Sequence, residues 1–116
     1  MLYKIKSIKH NGTCGERGTE RTDGRYPLRI GRVVKLNIDD IEIGYPLVIR
    51  YVKDSDGTPM KFSFLKTSYV TSVNCAGKIS RNSLFVVVET ENSIFEFERV
   101  ADFYTDYVEV ETEKYE

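Results

Sequence analysis

The sequence predicts an all-β fold: a small, highly bent antiparallel barrel of SH3-like type, or a small sandwich. Three observations carry this. Leu84–Glu98 (LFVVVETENSIFEFE) holds an apolar, β-branched run and then an alternating one, split by Asn92 and Ser93, so it predicts a β-hairpin. Similar short runs recur at spacings typical of all-β folds, and no segment has a convincing helical period. Glycine interruptions and tight turns favour a barrel, because bends let one sheet close on itself and remove its edges.

Taken in order, Leu2–Lys9 predicts a strand with Tyr3 and Ile5 on one side and Lys4 and Lys6 on the other. Residues 10–25 hold four glycines and almost no apolar side chain, so they predict a long mobile loop, the first place to seek a binding surface. Tyr26–Ile38 alternates around Gly31 and predicts a bent strand serving two parts of a curled sheet. Asp39–Pro46 is a tight connection, with Ile41 and Ile43 expected to plug one end of the core. Leu47–Lys53 predicts a strand apolar on both sides, hence a central one. Asp54–Pro59 contains Asp56-Gly57 and predicts a hairpin turn. Its aspartates lack the further oxygen ligands and closing Glu of a calcium loop. Met60–Val73 predicts more strand, with a kink at Thr67-Ser68, and the polar stretch Asn74–Ser83 predicts a loop.

The chain divides into a barrel domain, residues 1–100, and an acidic C-terminal extension, 101–116. That extension carries six acids against one Lys, whereas the first hundred residues carry sixteen basic and twelve acidic groups. Within it Tyr107–Tyr115 sets Val108, Val110 and Thr112 against Glu109, Glu111 and Glu113, the pattern of an added strand or a loose tail. It is a candidate cover for the basic surface, in its own chain or, by strand exchange, in a neighbour. The N-terminus has no apolar run of signal-peptide length and no run approaches a membrane span, so a cytoplasmic protein with no membrane partner is expected. Cys14 and Cys75 are far apart and are read as free thiols.

Candidate chemistry is thin. His10 and Cys14 are the residue types of a base and a nucleophile, but a glycine-rich loop is a poor platform for holding them. The acids at 39, 40 and 42, and at 89, 91, 96 and 98, alternate with apolar residues as on a solvated strand face. Gly12, Gly15 and Gly18 have the spacing of a phosphate-cradling loop, without the following helix or the lysine such a loop needs. The reading is therefore non-enzymatic, with no catalytic residues, cofactor or metal.

The better lead is charge. Residues 1–35 hold nine basic and three acidic groups. Lys9, Arg17, Arg21, Arg25, Tyr26, Arg29 and Arg32 are the candidate nucleic-acid contacts, since basic loops on small barrels track phosphates while aromatics stack on bases. An overall net charge of −1 with a pI near 5.9 argues the other way. The expected function is a binding module that contacts protein partners through the 10–25 loop, a strand edge or the tail. The alternative is a nucleic-acid-binding barrel.

Four segments, in order, carry a resemblance. They are Arg29-Ile30-Gly31-Arg32-Val33-Val34-Lys35-Leu36, Ile43-Gly44-Tyr45-Pro46-Leu47 leading to Tyr51, Lys66-Thr67-Ser68-Tyr69-Val70, and Val88-Glu89-Thr90-Glu91-Asn92-Ser93-Ile94-Phe95. Their spacing resembles a group of short uncharacterised bacterial proteins, some encoded on mobile elements. The resemblance implies a small, SH3-like barrel and implies no activity. The first loop and the acidic tail lie outside it.

Overall fold

Six antiparallel strands close into a barrel in a computed structural model of the chain, which describes residues 2–61, 63–79 and 82–100. The strands are β1 (Leu2–His10), β2 (Val33–Lys35), β3 (Pro46–Lys53), β4 (Phe64–Ile79), β5 (Asn82–Thr90) and β6 (Ser93–Arg99). Each pairs with the next, and β6 returns to pair with β1 from Tyr3↔Arg99 to His10↔Ser93. The barrel is the fold, and the sandwich is not. The predicted hairpin is β5–β6, turning at Glu91-Asn92.

Alternation decides what lies inside. On β6 Ser93, Phe95, Phe97 and Arg99 face inward while Ile94, Glu96 and Glu98 face out, as the period-two pattern requires. On β1 Tyr3 and Ile5 are fully buried, and then the register slips by one residue between Ile5 and Ser7. That bulge reverses the phase, so Ile8 points inward where strict alternation would place Ser7. Val34, Ile49, Val70, Val86 and Val88 complete the centre of the core. Burying a side chain such as Phe97 contributes about 2–3 kcal/mol from apolar area alone.

Several expectations change. Tyr26–Arg29 is one turn of helix, α1, with Pro27 in its first turn, and Leu28 is 64% exposed. Proline presets the helical φ and cannot donate to a ladder, which outweighs the alternation of Leu28 and Ile30. Gly31, at φ 88°, then redirects the chain into β2. The strand that serves two parts of the barrel is β4. Its first half pairs with β3 and its second half with β5. The register shifts between Pro46 and Val48, where Thr67-Ser68 was expected to kink the run. Asn74–Ser83 is not a loop, since the β4–β5 ladder runs on through Cys75↔Val86 and Ala76↔Phe85 to Ile79↔Asn82. Asn74, Cys75 and Ala76 are all exposed, so both faces meet water there and the segment has no apolar pattern to display. Ile41 packs against the core as expected, but Ile43 is 66% exposed. On β3 Val48 is exposed, so that strand has one wet face, and Phe64 on β4 points outward. The acidic tail, 101–116, with its expected strand at 107–115, lies outside the described residues, as does Phe62. No helix among the described residues is long and apolar enough to cross a membrane.

Candidate functional site

The barrel end that carries the β5–β6 turn is closed by residues 10–25. This stretch folds back along the end of β1, with backbone bonds from His10 N to Thr19 O (2.8 Å) and from Arg21 N to Ile8 O (2.9 Å). Asn11 Nδ2 donates to Thr90 O at 2.7 Å and ties the loop to β5. Gly15 lies on the His10 ring, where a Cβ would meet imidazole atoms at 2.7 Å. The His10 side chain is mostly buried, and its Nδ1 has no hydrogen-bond partner among the described residues. Cys14 is exposed, and the Thr13 hydroxyl lies 3.9 Å from its sulfur.

Arg21 is the centre of this cap. Its side chain is 7% exposed and its fork meets both oxygens of Asp23, at 3.1 and 2.6 Å. Nη1 also donates to Ser93 Oγ at 2.7 Å and to Asn92 O at 3.2 Å. The guanidinium lies 4.2 Å from the centre of the Tyr26 ring, and that of Arg29 lies 5.0 Å from the same ring. The hydrogen bonds from Arg21 hold the Asp23 carboxyl below the usual carboxylate range.

Three other sequence-predicted cations, Lys9, Arg17 and Arg32, are also paired inside the chain. Arg17 grips Glu89 through two bonds of 2.9 and 2.8 Å, and Lys9 pairs with Glu96 at 2.8 Å. Glu96 also accepts from the Ser7 hydroxyl. The Lys9 ammonium, more than Ser7, pulls the Glu96 carboxyl down, and Arg17 does the same to Glu89. Arg32 bonds Asp54 at 3.2 Å and stacks 4.6 Å from the Tyr51 ring centre. Arg25 is exposed, with no ion pair among the described residues. The structure thus brings Arg21, Tyr26 and Arg29 together, sets Lys9 and Arg17 against the carboxylates of β6 and β5, and leaves Arg32 with the β3–β4 turn. They do not make one open basic surface.

A different surface is open. Leu47, Ile49 and Tyr51 are buried, so Pro46, Val48 and Arg50 face outward on β3. The register sets Tyr69 opposite Pro46, Lys66 opposite Val48 and Phe64 opposite Arg50. Directly opposed residues share a face, so Phe64, Tyr69 and Val48 form one outer patch with Arg50 and Lys66 between them. Tyr69, Phe64 and Val48 are 54, 61 and 49% exposed, and Tyr45 at the head of β3 is 62% exposed. Arg50 and Lys66 have no ion pair among the described residues, and no carboxylate stands on this part of either strand. Scattered exposed apolar residues need no explanation, but here Phe64 and Tyr69 share the outer face of β4, with Lys66 between them and Val48 opposite Lys66.

Sequence reasoning missed this patch. Phe64 read as a member of an alternating run starting at Met60, and only the bulge at Thr67-Ser68 brings Tyr69 into line with Phe64. The available signal was the alternation itself, Phe64-Lys66 against Val48-Arg50, had the inner face been fixed by Leu47 and Ile49. Among the described residues no group of three or more His, Cys, Asp or Glu side chains is placed to hold a metal. Comparison with protein families, with curated proteins and with solved structures finds no match for this chain.

Proposed function

We propose that the protein is a non-enzymatic binding module whose contact surface is the outer face of β3 and the first half of β4, and that its partner is a protein segment in which apolar residues are interleaved with acids. One observation carries the reading: Val48, Phe64 and Tyr69 are exposed on one outer face, with Tyr45 exposed at the head of β3, together with two cations, Arg50 and Lys66, that have no ion pair among the described residues. Aromatic and arginine side chains supply most of the energy at protein interfaces. Unpaired cations beside them select an acidic partner and speed its approach.

The test is selection from a random peptide display library on the immobilised protein. Enriched peptides should alternate apolar residues with Asp or Glu, and should lose at least tenfold in affinity against the Phe64→Ala/Tyr69→Ala double variant, about 1.4 kcal/mol. Peptides that ignore these substitutions would discard the reading.

A second reading places single-stranded nucleic acid on the same patch. It is favoured by the interleaving of Phe64 and Tyr69 with Arg50 and Lys66, since rings stack on bases while cations meet phosphates. Anisotropy with labelled oligonucleotides at low and moderate salt separates the two. Phosphate contacts weaken steeply as salt rises, so binding that is salt-sensitive and lost in Phe64→Ala favours nucleic acid.

A further inference from the structure

The face on β3 and β4 has a counterpart on the same chain. Between β2 and β3 the chain makes a short 3-10 turn, Ile38–Asp40, and then runs through Glu42-Ile43-Gly44-Tyr45 into β3. Ile38 and Ile41 pack against the core, so Asp39, Asp40, Glu42 and Ile43 are left outside. The segment is pinned in that position. Gly44 N donates to Val70 O at 2.8 Å, Val70 N to Tyr45 O at 2.9 Å, and Ile41 N to Ile38 O at 3.1 Å. Among the described residues Asp39, Asp40 and Glu42 have no ion pair, and neither do Arg50 and Lys66. The loop stands at the end of the face marked by Pro46↔Tyr69, whereas Arg50↔Phe64 marks the other end. From Pro46 to Arg50 is roughly 13 Å at the usual rise of a strand. One molecule thus carries acids beside Ile43 and cations beside Phe64, held apart by the length of a strand.

We infer that a second copy of this chain docks on the β3–β4 face, each copy laying its 39–43 loop on the face of the other. The inference rests on the reading of that face as the contact surface and names its occupant. A two-fold contact joins the same surface on both subunits, so whatever one copy meets on its neighbour the neighbour meets on it. The loop is at one end of the face and Arg50 at the other. A two-fold axis near the middle turns one copy end for end, and the acids of each loop then lie over Arg50 and Lys66 of the other copy. Ile43 of each copy meets Phe64 of the other, and Tyr69 of each meets Val48. Each charge contact is made twice, and like charges are kept apart. The loop is already held by backbone bonds and by Ile38 and Ile41, so docking orders little chain, whereas a flexible acidic peptide must lose that freedom. A net charge of −1 leaves little general repulsion between copies.

Charge exchange between two variants tests the contact, read as molar mass by sedimentation over a range of concentration and salt. The wild-type chain should dimerise by mass action, and added salt should weaken the dimer. Asp40→Lys/Glu42→Lys and Arg50→Glu/Lys66→Glu should each weaken self-association at least roughly tenfold and leave the circular dichroism unchanged, since all four side chains are exposed. Mixed in equal amounts the two variants should recover the dimer. The reversed loop of one then meets the reversed face of the other, and the wild-type loop meets the wild-type face in the second contact. If either reversal does not fold, the neutral variants Asp40→Asn/Glu42→Gln and Arg50→Gln/Lys66→Gln should still weaken the dimer and flatten its dependence on salt. A wild-type chain that stays monomeric up to its solubility limit would overturn the inference. So would a dimer indifferent to both sets of substitutions, or a mixture that stays monomeric. The underlying reading fails separately. A monomeric wild type that binds the selected acidic peptides through Phe64 and Tyr69 keeps the face as a contact surface for another protein. Peptides that ignore those side chains, together with a face variant that dimerises as the wild type does, remove both.

Discussion

Arg21 shows how a residue's role is set by partners far away in sequence. Nothing around it in the loop distinguishes it from Arg17 or Arg25, yet barrel closure brings Ser93 to 2.7 Å from its guanidinium. Removing it would leave the Ser93 hydroxyl, Asn92 O and Asp23 without their donor and uncover the Tyr26 ring. Arg21→Ala should therefore lower unfolding stability by roughly 2 kcal/mol, read as a fall in the urea midpoint at constant m-value. Arg21→Lys should lose most of that as well, since an ammonium cannot reproduce the planar fork. A midpoint unchanged in Arg21→Ala would show that the cap is incidental. Gly15 and His10 make a second such pair. A methyl group at Gly15 would overlap the imidazole, so Gly15→Ala should cost about 1–2 kcal/mol in the wild-type background and much less in a His10→Ala background. Equal costs in the two backgrounds would mean that the ring is not what excludes the side chain. The sequence alone does not show this contact, because only the folding of residues 10–25 sets Gly15 on the ring.

At the scale of elements, legibility followed the strength of the alternating pattern. β1 and β6 are visible in the residue order through their alternation and β5 as an apolar, β-branched run, whereas β3 was visible as a strand but read as apolar on both sides. β2, with three residues, is too short to show a period, and the helical turn before it was masked by alternating Leu28 and Ile30. At Asn74–Ala76 β4 is exposed on both faces, so hydropathy has nothing to report there and only its ladder with β5 reveals it. The β4 bulge, in contrast, has a clear chemical cause. Thr67 is nearly buried, accepts from Leu47 N at 2.9 Å and donates to Ser68 O at 2.7 Å. Its hydroxyl stands in for the ladder carbonyl that the extra residue displaces. Thr67→Val keeps the shape and removes both bonds, leaving the Leu47 amide unsatisfied in the core, and should cost about 1–3 kcal/mol. Thr67→Ser retains the hydroxyl and should cost clearly less. Denaturation of the two variants side by side checks the order, and a valine variant as stable as the serine one would remove the hydroxyl from the account.

For the whole molecule, closure of β6 on β1 decides where the charges go. Residues 1–35 carry a basic excess. In the folded barrel the outward acids of β5 and β6 meet part of it, through Lys9–Glu96, Arg17–Glu89 and a longer contact from Lys6 to Glu98 at 3.8 Å. No local pattern foretells this, because the partners lie at opposite ends of the domain and meet only once the sheet has closed. The arrangement makes stability depend on pH with a definite sign. Glu96, Glu89 and Asp23 all have carboxyl pKa values lowered in the folded state by their cationic partners. A lowered folded-state value means that the unfolded chain binds protons first as pH falls. The stabilisation is thus complete above about pH 5, where unfolded carboxylates are ionised, and is lost as pH drops through the lowered values. Asp23 is exposed and Glu89 and Glu96 are partly exposed, so each contribution is modest and screened by salt. Urea midpoints measured between pH 7 and pH 3 should be flat at first and then decline. In a Glu89→Gln/Glu96→Gln variant the neutral-pH midpoint should be lower and the decline shallower, and added salt should narrow the gap between the two proteins. A wild-type decline of the same steepness as the variant's, at low salt, would mean that the closing strands are not held by their charges, and that apolar packing of Phe95 and Phe97 against β1 and β5 closes the barrel alone.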